Sequence, residues 1–219
     1  MNAHDFAFCG ETLTALPSGG LFWGTEQLLV VSDLHLGKSE RIARRGGALL
    51  PPYDTEETLH RLAEDIRALA PRCLLCLGDS FDDLRAAEAL SETHRQTIAA
   101  LQAGRTWLWL EGNHDPGPVD LGGTHLDVFR SGALTFRHIA EPGATAGEIS
   151  GHYHPKARMK RASRPCFMAD DTRLILPAYG AYTGGLDWTT PVLRDLFAEQ
   201  AVAYLTGPRV LAVPVPRAA

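Results

Sequence analysis

The stretch Thr106-Trp107-Leu108-Trp109-Leu110-Glu111-Gly112-Asn113-His114-Asp115 joins an apolar run to a cluster of polar side chains. The run Thr106–Leu110 predicts a buried strand. Asn113 offers an oxygen that can bind a metal ion, and His114 offers a proton. By itself Gly112-Asn113-His114-Asp115 fits an ordinary turn as well as a site, because turns favour these residue types. Deciding between the two requires partners from elsewhere in the chain.

The composition is that of an ordinary globular protein. The chain has 219 residues, of which 45% are hydrophobic and 21% are charged. This length predicts a single domain, residues 1–219, with a sizeable core. The net charge of −5 gives no overall basic signature for nucleic acid.

Targeting signals and cysteine usage predict a soluble, cytoplasmic protein. No apolar run approaches membrane-spanning length, and the N-terminal residues lack a secretory signal. Cys73 and Cys76 form a C-x-x-C pair, but no second pair completes a zinc ribbon. Both lie in the apolar run Cys73–Leu77, which predicts a strand, so we expect buried free thiols.

Two more apolar runs end in polar side chains. Leu28–Val31 is followed by Asp33 and His35, and Cys73–Leu77 is followed by Asp79. If the chain stays extended after the first run, Asp33 and His35 point to one side, because alternate residues of an extended chain share a face. A carboxylate beside an imidazole is a metal-ligand pattern, although a surface loop would also hold such a pair.

Helices are predicted between these strands. Asp54 is placed to cap the first helix, with Glu57 in a capping-box position three residues later. A second helical region is predicted over residues 84–103. Alternating strands and helices imply a sheet with parallel strands, and sites in such sheets form beyond the carboxyl ends of the strands. The polar residues after each strand are therefore expected to meet.

The second half of the chain predicts another sheet, built mostly from hairpins. Residues 133–138 predict a strand that ends in His138. Residues 148–154 predict a strand that ends in His152 and His154, with both side chains facing one way. These histidines add to the candidate site.

Seven candidate metal ligands thus stand at strand ends. They are two carboxylates, one amide and four imidazoles: Asp33, His35, Asp79, Asn113, His138, His152 and His154. The set suits Mn²⁺, Fe or Zn²⁺ better than Ca²⁺ or Mg²⁺. Seven ligands are too many for one tetrahedral ion but suit two ions that share a carboxylate. Two such ions beside two carboxylates and a hydroxide would keep about one positive charge, which favours a phosphate anion.

These blocks resemble the calcineurin-like metallophosphoesterases. The motifs occur in the family's order: Asp33-x-His35, Gly78-Asp79, Gly112-Asn113-His114-Asp115, His138 and Gly151-His152-x-His154. The resemblance implies a four-layer α/β/β/α sandwich of two packed mixed sheets with helices outside. It also implies a phosphoesterase with two divalent metal ions, Mn²⁺ being expected first.

The resemblance implies a role for each site residue. Asp33, His35 and His154 would bind the first ion, and Asn113, His138 and His152 the second, with Asp79 bridging both. His114 would bind no metal but would protonate the leaving oxygen during in-line attack by a hydroxide, with Asp115 orienting it. One position departs from the family, because Asp83 stands where many members have arginine, so an ion pair is not expected there.

A narrower resemblance, to the bacterial ligase-associated DNA damage response metallophosphoesterases, covers nearly the whole chain. It is carried by Leu36-Gly37-Lys38 with the basic stretch to Gly47, by Pro51-Pro52-Tyr53-Asp54-Thr55, by Phe136-Arg137-His138, and by residues 176–186. It implies a DNA-repair nuclease or phosphodiesterase that acts beside an ATP-dependent DNA ligase and a helicase.

Two basic segments beside the candidate ligands are expected to guide single-stranded DNA. The candidate phosphate contacts are Lys38, Arg41, Arg44, Arg45, Lys156 and Arg158, and Lys160, Arg161 and Arg164 continue the second segment. Such contacts add affinity without sequence preference. Tyr179 and Tyr182 could stack on unpaired bases or could pack beneath the Gly-rich segment around them.

Two other functions fit parts of the sequence. A small-molecule phosphomonoesterase or cyclic-nucleotide phosphodiesterase would use the same metal ions. A non-catalytic scaffold would be expected to have lost ligands, whereas all seven and His114 are present.

Overall fold

A computed structural model gives the structure of residues 2–46, 53–159 and 162–216. Within these ranges the strands form two sheets. The strands of the first sheet lie side by side in chain order: β1 (His4–Phe8), β2 (Glu11–Ala15), β3 (Leu21–Trp23), β4 (Leu28–Val31), β5 (Cys73–Leu77), β6 (Thr106–Leu110) and β7 (Thr124–Leu126). Strands β1 to β4 pair antiparallel, and β4 to β7 pair parallel, as the strand–helix alternation predicted.

The second sheet is mostly antiparallel. Its strands are β8 (Val128–Ser131), β9 (Leu134–Arg137), β10 (Glu148–Ser150), β11 (Lys156–Met159), β12 (Ala162–Ala169), β13 (Arg173–Ile175), β14 (Val202–Leu205) and β15 (Leu211–Pro214). Their spatial order is β15-β14-β12-β13-β10-β9-β8, with β11 paired on β12 as a hairpin arm. Strand β10 runs parallel to both of its neighbours, so both sheets are mixed.

The parallel strands are apolar throughout because both of their faces are covered. Along β5, Leu75 and Leu77 face the second sheet, whereas Leu74 and Cys76 face the helices. The second sheet supplies Leu134, Phe136, Ile149, Phe167 and Leu174 to the core between the sheets. Burying one such large side chain stabilises the fold by about 1.5–3 kcal/mol. The thiols of Cys73 and Cys76 are free, as predicted, and Cys76 is buried.

Helices cover the outer faces and complete the predicted four layers. They are α1 (Lys38–Arg44), α2 (Asp54–Leu69), α3 (Leu84–Glu88), α4 (Glu92–Gln102) and α5 (Pro191–Arg194). Helices α2 and α4 pack on the first sheet, whereas the short α5 packs on the second. The region predicted as one helix over residues 84–103 is two, because Ser91 caps α4 by accepting a hydrogen bond from the His94 N–H. None of the helices in the described ranges is long and apolar enough to cross a membrane.

The prediction that Asp54 caps its own helix is wrong. Tyr53 occupies the N-cap position of α2 and makes no side-chain capping bond. The buried carboxylate of Asp54 instead accepts hydrogen bonds from the N–H groups of Lys38 (3.0 Å) and Ser39 (3.3 Å) at the start of α1. It also contacts the Ser39 hydroxyl. Asp54 therefore caps α1 from a neighbouring helix.

Replacing Asp54 tests this assignment. We expect Asp54→Ala to lower the free energy of unfolding by about 2 kcal/mol, because it leaves buried N–H groups without an acceptor. Glu57→Ala removes an exposed carboxylate and its 3.7 Å surface pair with Arg61, and should cost less than about 0.5 kcal/mol. Urea denaturation of both variants measures the difference, and equal losses would contradict the assignment.

Candidate metal centre

The carboxyl ends of strands from both sheets meet at one edge of the sandwich. The first sheet contributes Asp33 and His35 after β4, Asp79 after β5, and Asn113 and His114 after β6. The second sheet contributes His138 after β9, and His152 and His154 after β10. The structure therefore brings together every residue that the sequence placed at this edge.

These side chains form groups with the spacing of metal ligands. In each group, the histidine and carboxylate ligand atoms lie within 4.8 Å of one another. The groups are Asp33, His35 and His154; Asp79, His138 and His152; and His35, Asp79 and His114. The third group shares members with the other two, so all three form one continuous cluster. This grouping agrees with two ions flanking Asp79, and the binding of an ion by each residue stays a prediction.

Asp33 connects the two sheets within this cluster. Its Oδ2 accepts hydrogen bonds from the Ser32 hydroxyl (2.6 Å) and from the His152 N–H (3.0 Å). Its Oδ1 lies 3.0 Å from Nε2 of His154, which in turn lies 3.4 Å from Nε2 of His35. Two loops from different sheets therefore converge on one fully buried carboxylate.

Asp79 is the corresponding centre of the second group. Its Oδ2 lies 3.3 Å from Nε2 of His138 and 4.0 Å from Nε2 of His35. Its Oδ1 accepts a hydrogen bond from the His114 N–H at 2.9 Å. The Nε2 atom of His138 also lies 3.0 Å from Oδ1 of Asn113. Asp79 thus contacts residues of both expected ion sites, as a bridging ligand would.

The loops reach this geometry through left-handed backbone. The φ angles of Asp33, His35, Asp79, His152 and His154 are 54°, 46°, 47°, 68° and 46°. Side chains other than glycine rarely adopt this region, at a cost of about 1–3 kcal/mol per residue. Asp33 and His35 do share a group, but the extended chain predicted for them is wrong. The strand predicted over residues 148–154 likewise ends at Ser150, and its two histidines belong to different groups.

Close packing explains the glycines of two motifs. A Cβ on Gly151 would collide with the Ser32 hydroxyl and the Asp33 carboxylate. A Cβ on Gly112 would collide with the backbone nitrogen and the carboxylate of Asp79. These glycines allow neighbouring loops to approach the carboxylates closely enough to form the cluster.

Two histidines are oriented by backbone carbonyls. The Nδ1 atom of His138 lies 3.0 Å from the Leu77 carbonyl oxygen, and Nδ1 of His114 lies 2.8 Å from the Asp82 carbonyl oxygen. A carbonyl oxygen only accepts, so each Nδ1 carries a proton and each Nε2 is the nitrogen left for chemistry. In His138 that nitrogen faces Asp79 and Asn113.

The sequence reasoning missed Asp82. This fully buried carboxylate lies 3.0 Å from Nδ1 of His35, accepts a 2.7 Å hydrogen bond from Arg41, and lies 3.6 Å from Nζ of Lys38. Burial alone would raise the pKa of Asp82, but His35 and Arg41 hold it well below its usual range. Asp82 therefore orients His35 from behind. The signal was available in the Gly-Asp-x-x-Asp block that contains it.

Asp115 does not orient His114 as expected. Its Oδ1 accepts a hydrogen bond from the Gly112 N–H, and its Oδ2 accepts bonds from the N–H groups of Ser80 (2.8 Å) and Phe81 (3.1 Å). It therefore ties the loop after β5 to the loop after β6. Burial raises the pKa of Asp115 to about 6 despite these bonds.

The pKa values of the residues in the cluster are shifted in different directions. Although burial opposes it, contact with His154 lowers the pKa of Asp33 to about 2. Burial also opposes a charge on His138, but its contact with Asp79 raises the pKa of His138 to about 9. Burial and the nearby His138 lower the pKa of His152. An ionised Asp33 and a neutral His152 are the forms that bind cations.

The first basic segment is largely paired with acids. Arg41 bonds to Asp82, and Nη2 of Arg44 lies 2.8 Å from Oδ1 of Asp83. Asp83 therefore does form an ion pair, in which it is the acid and Arg44 is the base. Arg45 is exposed. The expected phosphate contacts of Arg41 and Arg44 are weakened, since their charges are already compensated.

The second basic segment is less fully paired with acids than the first. Lys156 is half-buried, and its Nζ donates a 2.9 Å hydrogen bond to the Thr183 carbonyl oxygen. The side chain of Arg158 is 74% exposed, with its Nε 3.8 Å from Asp187. Arg164 bonds to the Thr206 carbonyl oxygen. Lys160 and Arg161 lie outside the described residues.

The two candidate stacking tyrosines differ. Tyr179 is fully buried, and its hydroxyl donates a 2.9 Å hydrogen bond to Asp65, so packing is its role. Tyr182 is 41% exposed and remains available for stacking.

Comparisons with known proteins agree with this geometry. The calcineurin-like phosphoesterase family model matches residues 27–197. A crystal structure of Pseudomonas putida nuclease MPE is similar at 27% sequence identity, with a TM-score of 0.77, over 96% of this chain and 100% of that chain. No curated protein sequence gives a significant match.

The chain belongs to the calcineurin-like phosphoesterase family. It is a metal-dependent phosphoesterase of the class that uses a binuclear centre of divalent ions. The residues fit such a centre: two buried carboxylates lie among imidazoles whose Nε2 atoms face inward, and the ring nitrogens behind them contact Leu77 and Asp82.

The neighbouring acids Asp82 and Asp83 provide a matched test of positioning. We expect Asp82→Asn to weaken Mn²⁺ binding about 10-fold or more, because an outer contact of this kind orients its histidine ligand. Asp83→Asn weakens partly exposed pairs with Arg44 and Arg41 but keeps a side chain that can cap α3, and Asp83 contacts no candidate ligand, so Mn²⁺ affinity should stay within about twofold. Calorimetric Mn²⁺ titration of both folded variants measures the difference. Equal affinities would show that Asp82 does not position His35.

Proposed function

We propose that the protein is a two-metal phosphodiesterase that cleaves single-stranded DNA in DNA repair. The observation that carries the proposal is the continuous cluster in which both ligand groups share members with the group of His114. Similarity to a protein described as a nuclease, over the whole of that chain, supports a polynucleotide substrate. The cationic side at Lys156 and Arg158 supports a polyanion over a small ester.

In the proposed reaction, Asp33, His35 and His154 hold one divalent ion, and Asn113, His138 and His152 hold the other, with Asp79 between them. Mn²⁺ is proposed first, with Fe and Zn²⁺ as alternatives for these ligands. When bound, such a pair activates water and neutralises phosphate charge.

His114 is proposed as the proton donor. Its Nδ1–H is held by the Asp82 carbonyl oxygen, so the Nε2–H of the doubly protonated ring would give the proton to the leaving oxygen of the diester and leave the ring neutral. Lys38, Lys156 and Arg158 contact flanking phosphates. From the narrower family resemblance, we propose that it acts beside an ATP-dependent DNA ligase and a helicase. The free cysteines support action in the reducing cytoplasm.

Variants of two site residues with different proposed roles, His114 and Asp79, test the mechanism. His114→Ala should keep two Mn²⁺ ions but lose about 10²–10⁴-fold in the cleavage rate of a single-stranded oligonucleotide. Its loss should be smaller on an aryl diester whose leaving group needs no proton. Asp79→Ala should lose metal and all activity. Metal analysis and steady-state kinetics give both readouts, and a full DNA cleavage rate in His114→Ala would reject the acid role.

The substrate class is tested by comparing wild-type rates on single-stranded DNA, nicked duplex, an aryl phosphodiester and an aryl phosphomonoester in Mn²⁺. A small-molecule phosphomonoesterase would prefer the monoester and leave DNA intact.

Salt dependence tests the cationic path. With His114→Ala protein to limit cleavage, affinity for single-stranded DNA should fall steeply with salt, each phosphate contact adding about 0.7 to the logarithmic slope. Arg158→Ala should reduce the slope by about that amount. Arg67→Ala, exposed at the far end of α2, should not. A flat salt dependence would contradict the path.

A further inference from the structure

A groove lies beside the metal centre and belongs to none of the ligand groups. Its volume is about 350 Å³, within the range of small-ligand sites. Its walls come from the turn before β3, from α2, from the β11–β12 hairpin and from the segment after β13. The lining side chains include two cations, Arg61 and Lys156, and no carboxylate. Its chemistry therefore suits an anionic ligand.

The segment that forms one wall is fixed to the metal centre. The N–H of Tyr179 donates to the Ser32 carbonyl oxygen (2.8 Å), and the N–H of Gly180 donates to the Asp33 carbonyl oxygen (3.1 Å). The N–H of Ala181 donates to the Thr58 hydroxyl on α2. The wall is therefore bonded on one side to the candidate ligand Asp33 and to Ser32 before it, and on the other side to α2.

Cations continue from the cluster into the groove. Lys38 lies at the cluster end, with its Nζ 3.6 Å from the Asp82 carboxylate behind His35. Lys156 reaches the groove wall through the Thr183 carbonyl oxygen. Lys156 therefore joins the edge of the cluster to the groove, where Arg61 is the second cation.

Arg61 is held at the groove by its neighbours. Its guanidinium lies 5.2 Å from the centre of the Tyr179 ring, and Nη2 lies 3.7 Å from the exposed carboxylate of Glu57. The carboxylate of Asp65 accepts hydrogen bonds from the Ser18 and Tyr179 hydroxyls. Arg61 and Lys156 are thus the charged side chains that line the groove itself, while Glu57 and Asp65 lie behind Arg61.

Tyr182 supplies an aromatic face at the same wall. Its ring is 41% exposed, and its backbone is left-handed, with a φ of 57°. Burial does not explain an aromatic side chain at a strained and exposed position, whereas stacking on a base does. Phosphate-binding cations around one aromatic face are the recurring elements of single-strand binding sites.

We propose that this groove binds the nucleotide next to the scissile phosphate of a single DNA strand, with its base stacked on Tyr182 and its phosphate beside Arg61 and Lys156. The proposal rests on the proposed nuclease function and extends it by one subsite. It predicts a preference for unpaired DNA, because a paired base cannot present its face to the tyrosine.

The test compares Tyr182→Ala and Tyr182→Phe, with Tyr53→Ala as a control at another exposed tyrosine. Affinity for a fluorescein-labelled oligothymidylate is measured by anisotropy with Mn²⁺ in the His114→Ala background. Tyr182→Ala should weaken binding at least about fivefold, whereas Tyr182→Phe keeps the ring and should bind like the parent. Tyr53→Ala should also bind like the parent.

A strand without bases isolates the stacking contact. On an oligomer of abasic residues, Tyr182→Ala and its parent should bind with equal affinity. Arg61→Gln should weaken binding to both strands, because its partner is the phosphate.

The outcomes separate the two proposals. A wild-type protein that binds oligothymidylate through Tyr182 but does not cleave it would reject the nuclease function and keep the groove. Cleavage and binding unaffected by Tyr182→Ala and Arg61→Gln would reject the groove and keep the nuclease function. A Tyr182→Ala effect of equal size on the abasic strand would also reject the stacking role.

Discussion

The buried carboxylate of Asp33 is the contact on which this site depends. An ionised carboxylate removed from water is unfavourable by several kcal/mol unless its oxygens are satisfied. Here the satisfying groups come from both sheets: a hydroxyl from its own loop, and an N–H and an imidazole from the loop after β10. The two sheets must therefore meet at this edge, and Gly151 permits the approach because no Cβ fits there.

The same requirement accounts for the unusual backbone of the site. Five of the candidate ligands adopt left-handed φ angles, which an isolated loop would avoid. The flanking strands are buried and paired on both sides, so they can hold this strain. Hydrogen bonds between the loops, such as those from Asp33 to Gly78 and from His35 to Asp79, fix the geometry further. A preorganised cluster of this kind needs little rearrangement to accept ions.

The basic side chains on the two sides of the cluster differ in how many acidic partners they have. The acids Asp82 and Asp83 compensate Arg41 and Arg44, so much of the basic helix α1 supports His35 instead of facing solvent. On the other side, Lys156 bonds to a carbonyl oxygen, and the exposed Arg158 lies only 3.8 Å from Asp187, so the charge there is less fully compensated. The groove and Tyr182, where the proposed subsite lies, are on the same side as the β11–β12 hairpin.

The sequence by itself determined the buried strands β4, β5 and β6, their parallel pairing and the identity of the residues that cluster. Strands β5 and β6 begin and end where their apolar runs do, because burial on both faces leaves a local pattern. The candidate ligands could be identified for the same reason, because each family motif is a short polar block that directly follows a strand. The glycines within them were visible too, though not the close contacts that require them.

Only the tertiary structure decided which residues support those ligands. Asp54 caps a helix other than its own, Asp82 rather than Asp115 contributes the contact to His114, and His152 and His154 separate into different groups. Each of these depends on contacts between segments far apart in the chain, or on a backbone region that spacing rules do not anticipate. Spacing along a strand predicts direction only while the strand continues, and β4 and β10 end before their ligands begin.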